Sequence, residues 1–86
     1  MNNYRRNDGG VLKTEPVYAE NEKIFWKWMG REIHGVVVEC FMGPIEKEIK
    51  GKRIKRNGSV EKPAYLVRSE AGNYALKLHT EITKIT

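Results

Sequence analysis

The sequence predicts an all-β fold, a small antiparallel barrel of five or six short strands. Short runs of β-branched and aromatic residues recur between residues 24 and 85, and such runs are typical of strands in small barrels. Turn signals rich in glycine and asparagine separate these runs. No segment shows the periodicity of a long amphipathic helix, so helical folds are disfavoured.

The 86-residue chain is long enough for one small domain. A chain of this size buries roughly 60% of the surface that it exposes when unfolded, so its core is modest. Residues 1–20 are polar, contain a Gly-Gly pair and a proline, and lack periodicity. We expect them to form a flexible N-terminal arm, with a short ordered piece near Val17-Tyr18. The barrel is then expected over residues 21–86.

The first two strands are expected at residues 24–28 and 36–42. Alternation in the first strand places Ile24, Trp26 and Trp28 on one face. The second strand contains three consecutive valines, which are poor helix formers and good strand formers. Its inward-facing side chains are predicted to be Val36, Val38, Cys40 and Met42. Between the two strands, residues 30–35 begin and end with glycine and are expected to form a loop.

The rest of the chain is expected to form two hairpins and a closing strand. The predicted strands lie at residues 45–49, 52–56, 64–68, 74–78 and 82–85. The first pair turns at Lys50-Gly51 and the second at Glu70-Ala71-Gly72-Asn73. Residues 79–81 are expected to form a helical turn before the last strand.

Seven short elements carry a resemblance to a known family. They are Ile24-x-Trp26-x-Trp28, Gly35-Val36-Val37-Val38-Glu39, Ile49-Lys50-Gly51, Arg56-Asn57-Gly58-Ser59, Pro63-Ala64-Tyr65-Leu66-Val67, Ala75-Leu76-Lys77 and Glu81-Ile82. Their order and spacing resemble those of the hypervirulence-associated Tudor-domain family, whose members are small and mostly bacterial domains. The chain departs from the family at Asn21-Glu22, where a Gly-Asp pair is common. The resemblance implies a Tudor-like (SH3-like) barrel and implies no ligand, because fold alone does not settle function.

The net charge of +5 is concentrated in one part of the chain. Residues 1–20 are neutral overall, and most of the surplus lies between Lys47 and Lys62. The densest run comprises Lys50, Lys52, Arg53, Lys55 and Arg56. A positive field of this kind attracts anionic partners such as nucleic acid or an acidic protein surface.

We predict a non-catalytic binding module that engages a DNA or RNA backbone through this basic hairpin, with Tyr65 stacking on a base. Tyr74, Trp28 and Phe41 are the other candidates for stacking. The alternative is a protein-interaction module that binds an acidic protein surface through the same basic face or through a free sheet edge. An aromatic cage for a methylated ligand, built from residues such as Trp26, is disfavoured because a chain with so few aromatic residues needs them in its core.

Catalysis, metal binding and cofactor binding are not expected. His34, His79 and Cys40 are the only imidazole and thiol groups, and their spacing does not resemble that of metal ligands. Cys40 lies in an apolar run, where a thiol is usually a small buried side chain. No nucleophile motif, phosphate-binding loop or pair of carboxylates is evident.

The composition indicates a cytoplasmic protein with no membrane partner. A single cysteine excludes an intramolecular disulfide, which a secreted domain of this size would usually need. No segment approaches the roughly 20 apolar residues of a membrane span. The polar N-terminus lacks the apolar core of a signal peptide. The sequence does not predict the oligomeric state.

Overall fold

The computed structural model describes residues 17–85, and its regular elements in that range are strands and one 3₁₀ turn. The strands are β1 (Lys23–Trp28), β2 (Arg31–Phe41), β3 (Pro44–Ile49), β4 (Lys52–Asn57), β5 (Ala64–Ser69), β6 (Tyr74–Leu78) and β7 (Ile82–Lys84). The 3₁₀ turn, His79–Glu81, links β6 to β7. The antiparallel all-β fold is confirmed, with five strands in one sheet and two in a separate hairpin. Residues 17–85 contain no helix long and apolar enough to cross a bilayer.

Five strands form one antiparallel sheet in the order β6-β5-β2-β1-β7. If the sheet were flat, its edge strands would lie about 19 Å apart, because neighbouring strands are about 4.8 Å apart. The link from Leu78 to Ile82 spans at most about 14 Å when fully extended. The sheet therefore curls so that β6 and β7 approach each other, as in a small barrel. β3 and β4 form a separate two-stranded hairpin.

The core lies on the inward face of the curled sheet. Its buried cluster consists of Ile24, Trp26, Val37, Tyr65, Val67 and Ile82. The prediction that Ile24 and Trp26 face inward is confirmed. Trp28, predicted on the same face, lies at the end of β1 and is 56% exposed.

The predicted loop over residues 30–35 is wrong, because β2 runs without interruption from Arg31 to Phe41. Only Met29 and Gly30 form the turn before it, with φ of 51° and 77°. Two consecutive positive φ values are typical of a type I′ turn. Gly35 is a strand residue, and a Cβ there would overlap the carbonyl oxygen of Arg68 on the paired strand.

The inward set predicted for β2 is also partly wrong. Val37 is fully buried, whereas Val36 and Val38 are half-buried. The pairing with β5 shifts between Val37 and Glu39, which marks a β-bulge. The extra residue brings Cys40 opposite Tyr65, and Cys40 packs against the core as predicted. Met42, in contrast, is exposed.

Part of the predicted N-terminal arm packs against the core. The predicted arm covers residues 1–20, of which residues 1–16 lie outside the described residues, as does residue 86. Tyr18 packs against the core, and its N–H donates to the Tyr65 hydroxyl at 3.3 Å. The Tyr18 ring also stacks on His79, with 4.9 Å between the ring centroids. The predicted ordered piece near Val17-Tyr18 is therefore part of the folded domain.

Candidate nucleic-acid interface

The basic run forms a hairpin, as the sequence predicts. Ile49 pairs with Lys52 across the turn at Lys50-Gly51. The two turn residues have φ of 53° and 76°, again typical of a type I′ turn. Asparagine and glycine tolerate the left-handed region well, whereas a lysine there costs about 1 kcal/mol. Lys50 is therefore held in a conformation that its residue type does not favour.

The outer face of the hairpin is electrically neutral. Side chains alternate along a strand, so the basic run is divided between two faces. Glu46 pairs with Lys55, and Glu48 pairs with Arg53. Arg53 Nε also lies 3.6 Å from Glu46 Oε2. Two predicted site residues, Arg53 and Lys55, thus lie on a face where carboxylates balance their charge.

The inner face of the hairpin carries three cations and three isoleucines. These six residues are Ile45, Lys47, Ile49, Lys52, Ile54 and Arg56. All except Lys52 are half-buried, because this face turns toward the outer surface of the barrel sheet. The inner face contains no carboxylate, so it is the positively charged side of the hairpin.

A groove, which we call the hairpin groove, runs between the inner face and β6. It consists of two adjoining depressions of about 370 and 250 Å³ that share Ile49, Lys50 and Tyr74. Other lining residues include the apolar Ile54, Leu66 and Leu76 and the basic Lys47, Lys52, Arg56 and Lys77. Glu48 is the one acidic residue among those that line it. The groove thus combines apolar lining residues with several cations.

Arg56 attaches the hairpin to the barrel. Its Nε donates to the carbonyl oxygen of Leu76 at 3.2 Å, and its Nη1 lies 3.6 Å from Glu81 Oε2. In both contacts the guanidinium group binds another part of the same chain. Arg56, a predicted site residue, therefore has a structural role, and its charge is partly balanced by Glu81.

The cations of the groove that remain uncompensated are Lys50, Lys52 and Lys77. None of the three makes an ion pair within residues 17–85. Lys47 differs, because its Nζ lies 5.4 Å from the centre of the Phe41 ring. This distance allows a cation–π contact. Three ammonium groups are thus available to an anionic ligand.

Tyr65 does not line the groove, and its predicted stacking role is corrected. The side chain is fully buried, and its hydroxyl lies 3.0 Å from His79 Nδ1. Burial raises the pKa of the Tyr65 hydroxyl above the ordinary tyrosine value. Tyr74, in contrast, is 46% exposed and lines both depressions of the groove. It is the aromatic side chain placed to meet a ligand there.

The Cys40 thiol and the His34 imidazole are the next candidates for a reactive or metal-binding group. Burial raises the pKa of the Cys40 thiol, the opposite of what activates a cysteine nucleophile. His34 Nε2 lies 3.0 Å from Glu32 Oε1, and the His34 ring stacks on Phe25. In the described range, no three histidine, cysteine, aspartate or glutamate side chains come together as metal ligands.

Comparison with known families adds one match. The family model described as "Hypervirulence associated proteins TUDOR domain" matches residues 22–82. This range begins just before β1, ends at the start of β7 and includes the whole hairpin groove. Neither the curated proteins nor the solved structures contain a significant match to the chain.

Proposed function

The chain belongs to the hypervirulence-associated Tudor-domain family, and from this premise we propose that it binds nucleic acid through the hairpin groove. Tudor domains are generally small, non-catalytic binding modules. The family therefore indicates a binding role and leaves the ligand open. The charge and shape of the hairpin groove are the basis for choosing nucleic acid.

The observation that carries the proposal is that three uncompensated lysines and one exposed aromatic ring line the same groove. Lys50 and Lys52 come from the hairpin, while Lys77 and Tyr74 come from β6. Lysine ammonium groups neutralise backbone phosphates without reading sequence. An exposed tyrosine ring contributes about 1–3 kcal/mol for each base that stacks on it. Proteins that bind nucleic acid without sequence preference combine these two elements.

Lys50 lines the groove from a turn position that lysine does not favour. Unfavourable backbone conformations are retained preferentially at functional sites, where the strain accompanies a useful position. Asparagine would relieve the strain at this turn but would remove the ammonium group from the groove. Met29 has a φ of 51° at the corresponding position of another turn outside the groove, so the strain alone does not assign Lys50 to the site; its position at the groove does.

The proposal sets a lower limit on salt dependence. If the three lysines each neutralise one phosphate of a single strand, the logarithm of affinity falls with a slope of about −2.1 against the logarithm of salt concentration. Affinity then decreases at least about 20-fold between roughly 50 and 200 mM salt. A much weaker dependence would indicate that the lysines do not contact phosphates.

Fluorescence anisotropy with a labelled oligothymidylate and a labelled oligouridylate of about 12 nucleotides tests this proposal. Lys52→Ala combined with Lys77→Ala is expected to weaken binding about tenfold at roughly 0.15 M salt. The matched control is Lys55→Ala combined with Lys62→Ala, which removes the same charge from exposed lysines that do not line the groove. Equal losses in both variants would show that only net charge matters. No binding of either oligonucleotide at low salt would refute the proposal.

A second candidate function is suggested by the edge of β6, which Arg56 covers at Leu76. β6 ends the five-stranded sheet, and its Leu76 carbonyl accepts a bond from Arg56 that a strand added at this edge would displace. An extended acidic peptide can add to such an edge through main-chain hydrogen bonds. Tyr74→Ala separates the two functions, since it removes base stacking and leaves the main-chain edge intact. Tighter binding of an alternating Asp-Val peptide than of the oligonucleotides, unaffected by Tyr74→Ala, would favour strand addition.

A further inference from the structure

Outside the two parts of the hairpin groove lies another depression, of about 520 Å³, which we call the second depression. It lies where β1, β2 and the turn from β5 to β6 meet. None of its lining residues belongs to the basic run of residues 50–56. Its lining residues include two cations, Lys23 and Arg68, with Val36 between them in the sheet. Both cations are exposed, and neither makes an ion pair in the described part of the chain.

The register of the sheet places these cations in line with Tyr74. Lys23 pairs with Val36, Val36 with Arg68, and Arg68 with Tyr74. Directly paired residues project from the same face, so the four side chains form one row across β1, β2, β5 and β6. The Cα atoms of Lys23 and Arg68 lie about 10 Å apart, with Tyr74 about 5 Å beyond. The row therefore consists, in order, of a cation, a small apolar residue, a second cation and an exposed aromatic ring.

The second depression continues into the hairpin groove. Gly72 lines both the second depression and the nearer part of the groove, and Tyr74 follows it two residues later. A Cβ built on Gly72 would meet no atom within 4 Å, so the junction is open. A ligand can thus pass from Lys23 and Arg68, over Tyr74, to Lys50 and Lys52 without leaving the surface channel.

Other charged groups near the second depression leave it net positive. Glu70 is the acidic residue that lines it. His34 also lines it, and its Nε2 contacts Glu32. Glu22, next to Lys23 in sequence, pairs with Lys84 at 3.0 Å. Lys23 and Arg68 together therefore outweigh the one carboxylate that faces the depression.

We propose that Lys23 and Arg68 form a second phosphate subsite, so that the ligand is an extended single strand lying across the sheet. This inference rests on the proposed nucleic-acid function and names the class of nucleic acid. Tyr74 lies between the two groups of cations, where a base of the same strand stacks on its ring. Bases in a duplex are already stacked and paired, so they do not offer a free face to the ring. A single strand also follows the curled sheet more easily than a stiff duplex does.

The geometry sets a minimum length for the ligand. The row from Lys23 to Tyr74 spans about 15 Å, which a stacked strand covers with about four nucleotides at a phosphate spacing of about 3.4 Å and a more extended strand covers with fewer. The hairpin groove adds further contacts beyond Tyr74. Affinity is therefore expected to increase between oligothymidylates of about 4 and about 8 nucleotides and to level off by about 12.

Salt titration of anisotropy with the oligothymidylate of about 12 nucleotides tests the second subsite directly. Five phosphate contacts predict a slope of about −3.5 for the unmodified protein, and Lys23→Ala with Arg68→Ala is expected to reduce it to about −2.1. Affinity should fall about tenfold at roughly 0.15 M salt, and a matched duplex should bind more weakly than the single strand. Lys23→Gln with Arg68→Gln repeats the test with longer uncharged side chains, and thermal unfolding verifies that each variant is folded.

The matched control is Lys27→Ala with Arg31→Ala, which removes one lysine and one arginine from exposed positions near the other end of β1 and β2. It is expected to leave the salt slope unchanged. A slope near −2.1 for the unmodified protein, unchanged by Lys23→Ala with Arg68→Ala, would overturn the second subsite and leave the groove proposal standing. Equal or tighter binding of the duplex would overturn the single-strand assignment. Loss of affinity in Lys52→Ala with Lys77→Ala, together with unchanged affinity in Lys23→Ala with Arg68→Ala, would overturn the second subsite alone. Complete absence of oligonucleotide binding would overturn both proposals.

Discussion

Replacing Lys50 with asparagine is expected to stabilise the domain and weaken its binding at the same time. Lys50 has φ of 53° at the first central position of the β3–β4 turn. Asparagine is preferred at this position of a type I′ turn. Relief of part of the left-handed cost should stabilise the fold by about 0.5–1 kcal/mol. For a domain of this size, that gain raises Tm by about 3–6 °C.

Binding is expected to change in the opposite direction. Lys50→Asn removes one phosphate contact, which reduces the salt slope by about 0.7 and lowers affinity about fourfold at roughly 0.15 M salt. Calorimetry measures the first effect, and anisotropy with an oligothymidylate measures the second. Opposite signs for stability and affinity distinguish a functional lysine from one that only completes a turn.

Met29→Asn is the matched control. Met29 has φ of 51° at the corresponding position of the β1–β2 turn and does not line the hairpin groove. Its replacement should raise Tm by a similar amount and leave affinity unchanged. Lower Tm in both variants would show that the turn argument is wrong. Unchanged affinity in Lys50→Asn, with Tm raised, would remove Lys50 from the proposed site.

Three further predictions concern stability. Gly35→Ala should destabilise the fold by about 2–4 kcal/mol in urea denaturation, because the new Cβ meets the backbone of Arg68 and not a mobile side chain. An unfolding midpoint equal to that of the unmodified protein would contradict the tight pairing of β2 and β5. Tyr65→Phe should cost about 1–3 kcal/mol, because it removes a buried hydroxyl that lies beside His79, and should leave oligonucleotide affinity unchanged. Burial raises the pKa of both Cys40 and Tyr65, so the unfolded chain releases these protons first as pH rises. The contribution of these two groups to stability is therefore expected to be complete below about pH 8.5 and to decline above it, which urea denaturation at several pH values will measure. Rising stability in that alkaline range would refute the assignment.

The positions of most strands were predictable because local signals determine them. Alternation in β1 and the glycine-containing turns at residues 50–51 and 70–73 locate these elements without tertiary information. The division of the basic hairpin into two faces also follows from alternation around the turn. That rule places Arg53 and Lys55 opposite Glu48 and Glu46, so their neutral environment was accessible from the sequence.

Other features depend on contacts between distant segments. Ala64, Tyr65, Leu66 and Val67 are all apolar, so their pattern did not indicate which pair faces the core. The bulge in β2 appears only when its pairing with β5 is known. The role of Tyr74 depends on how the hairpin folds over β6, and nothing local to its own strand reports that arrangement.

The contact between Arg56 and β6 also bears on how separate copies of the protein avoid one another. An edge strand with unpaired main-chain groups is a template on which another chain can add, and proteins commonly protect such edges with charge or covering segments. Here the hairpin places a guanidinium group on the Leu76 carbonyl, in the middle of the β6 edge. The hairpin thereby discourages edge-to-edge aggregation, so solubility at high concentration becomes a property of the same element that lines the groove.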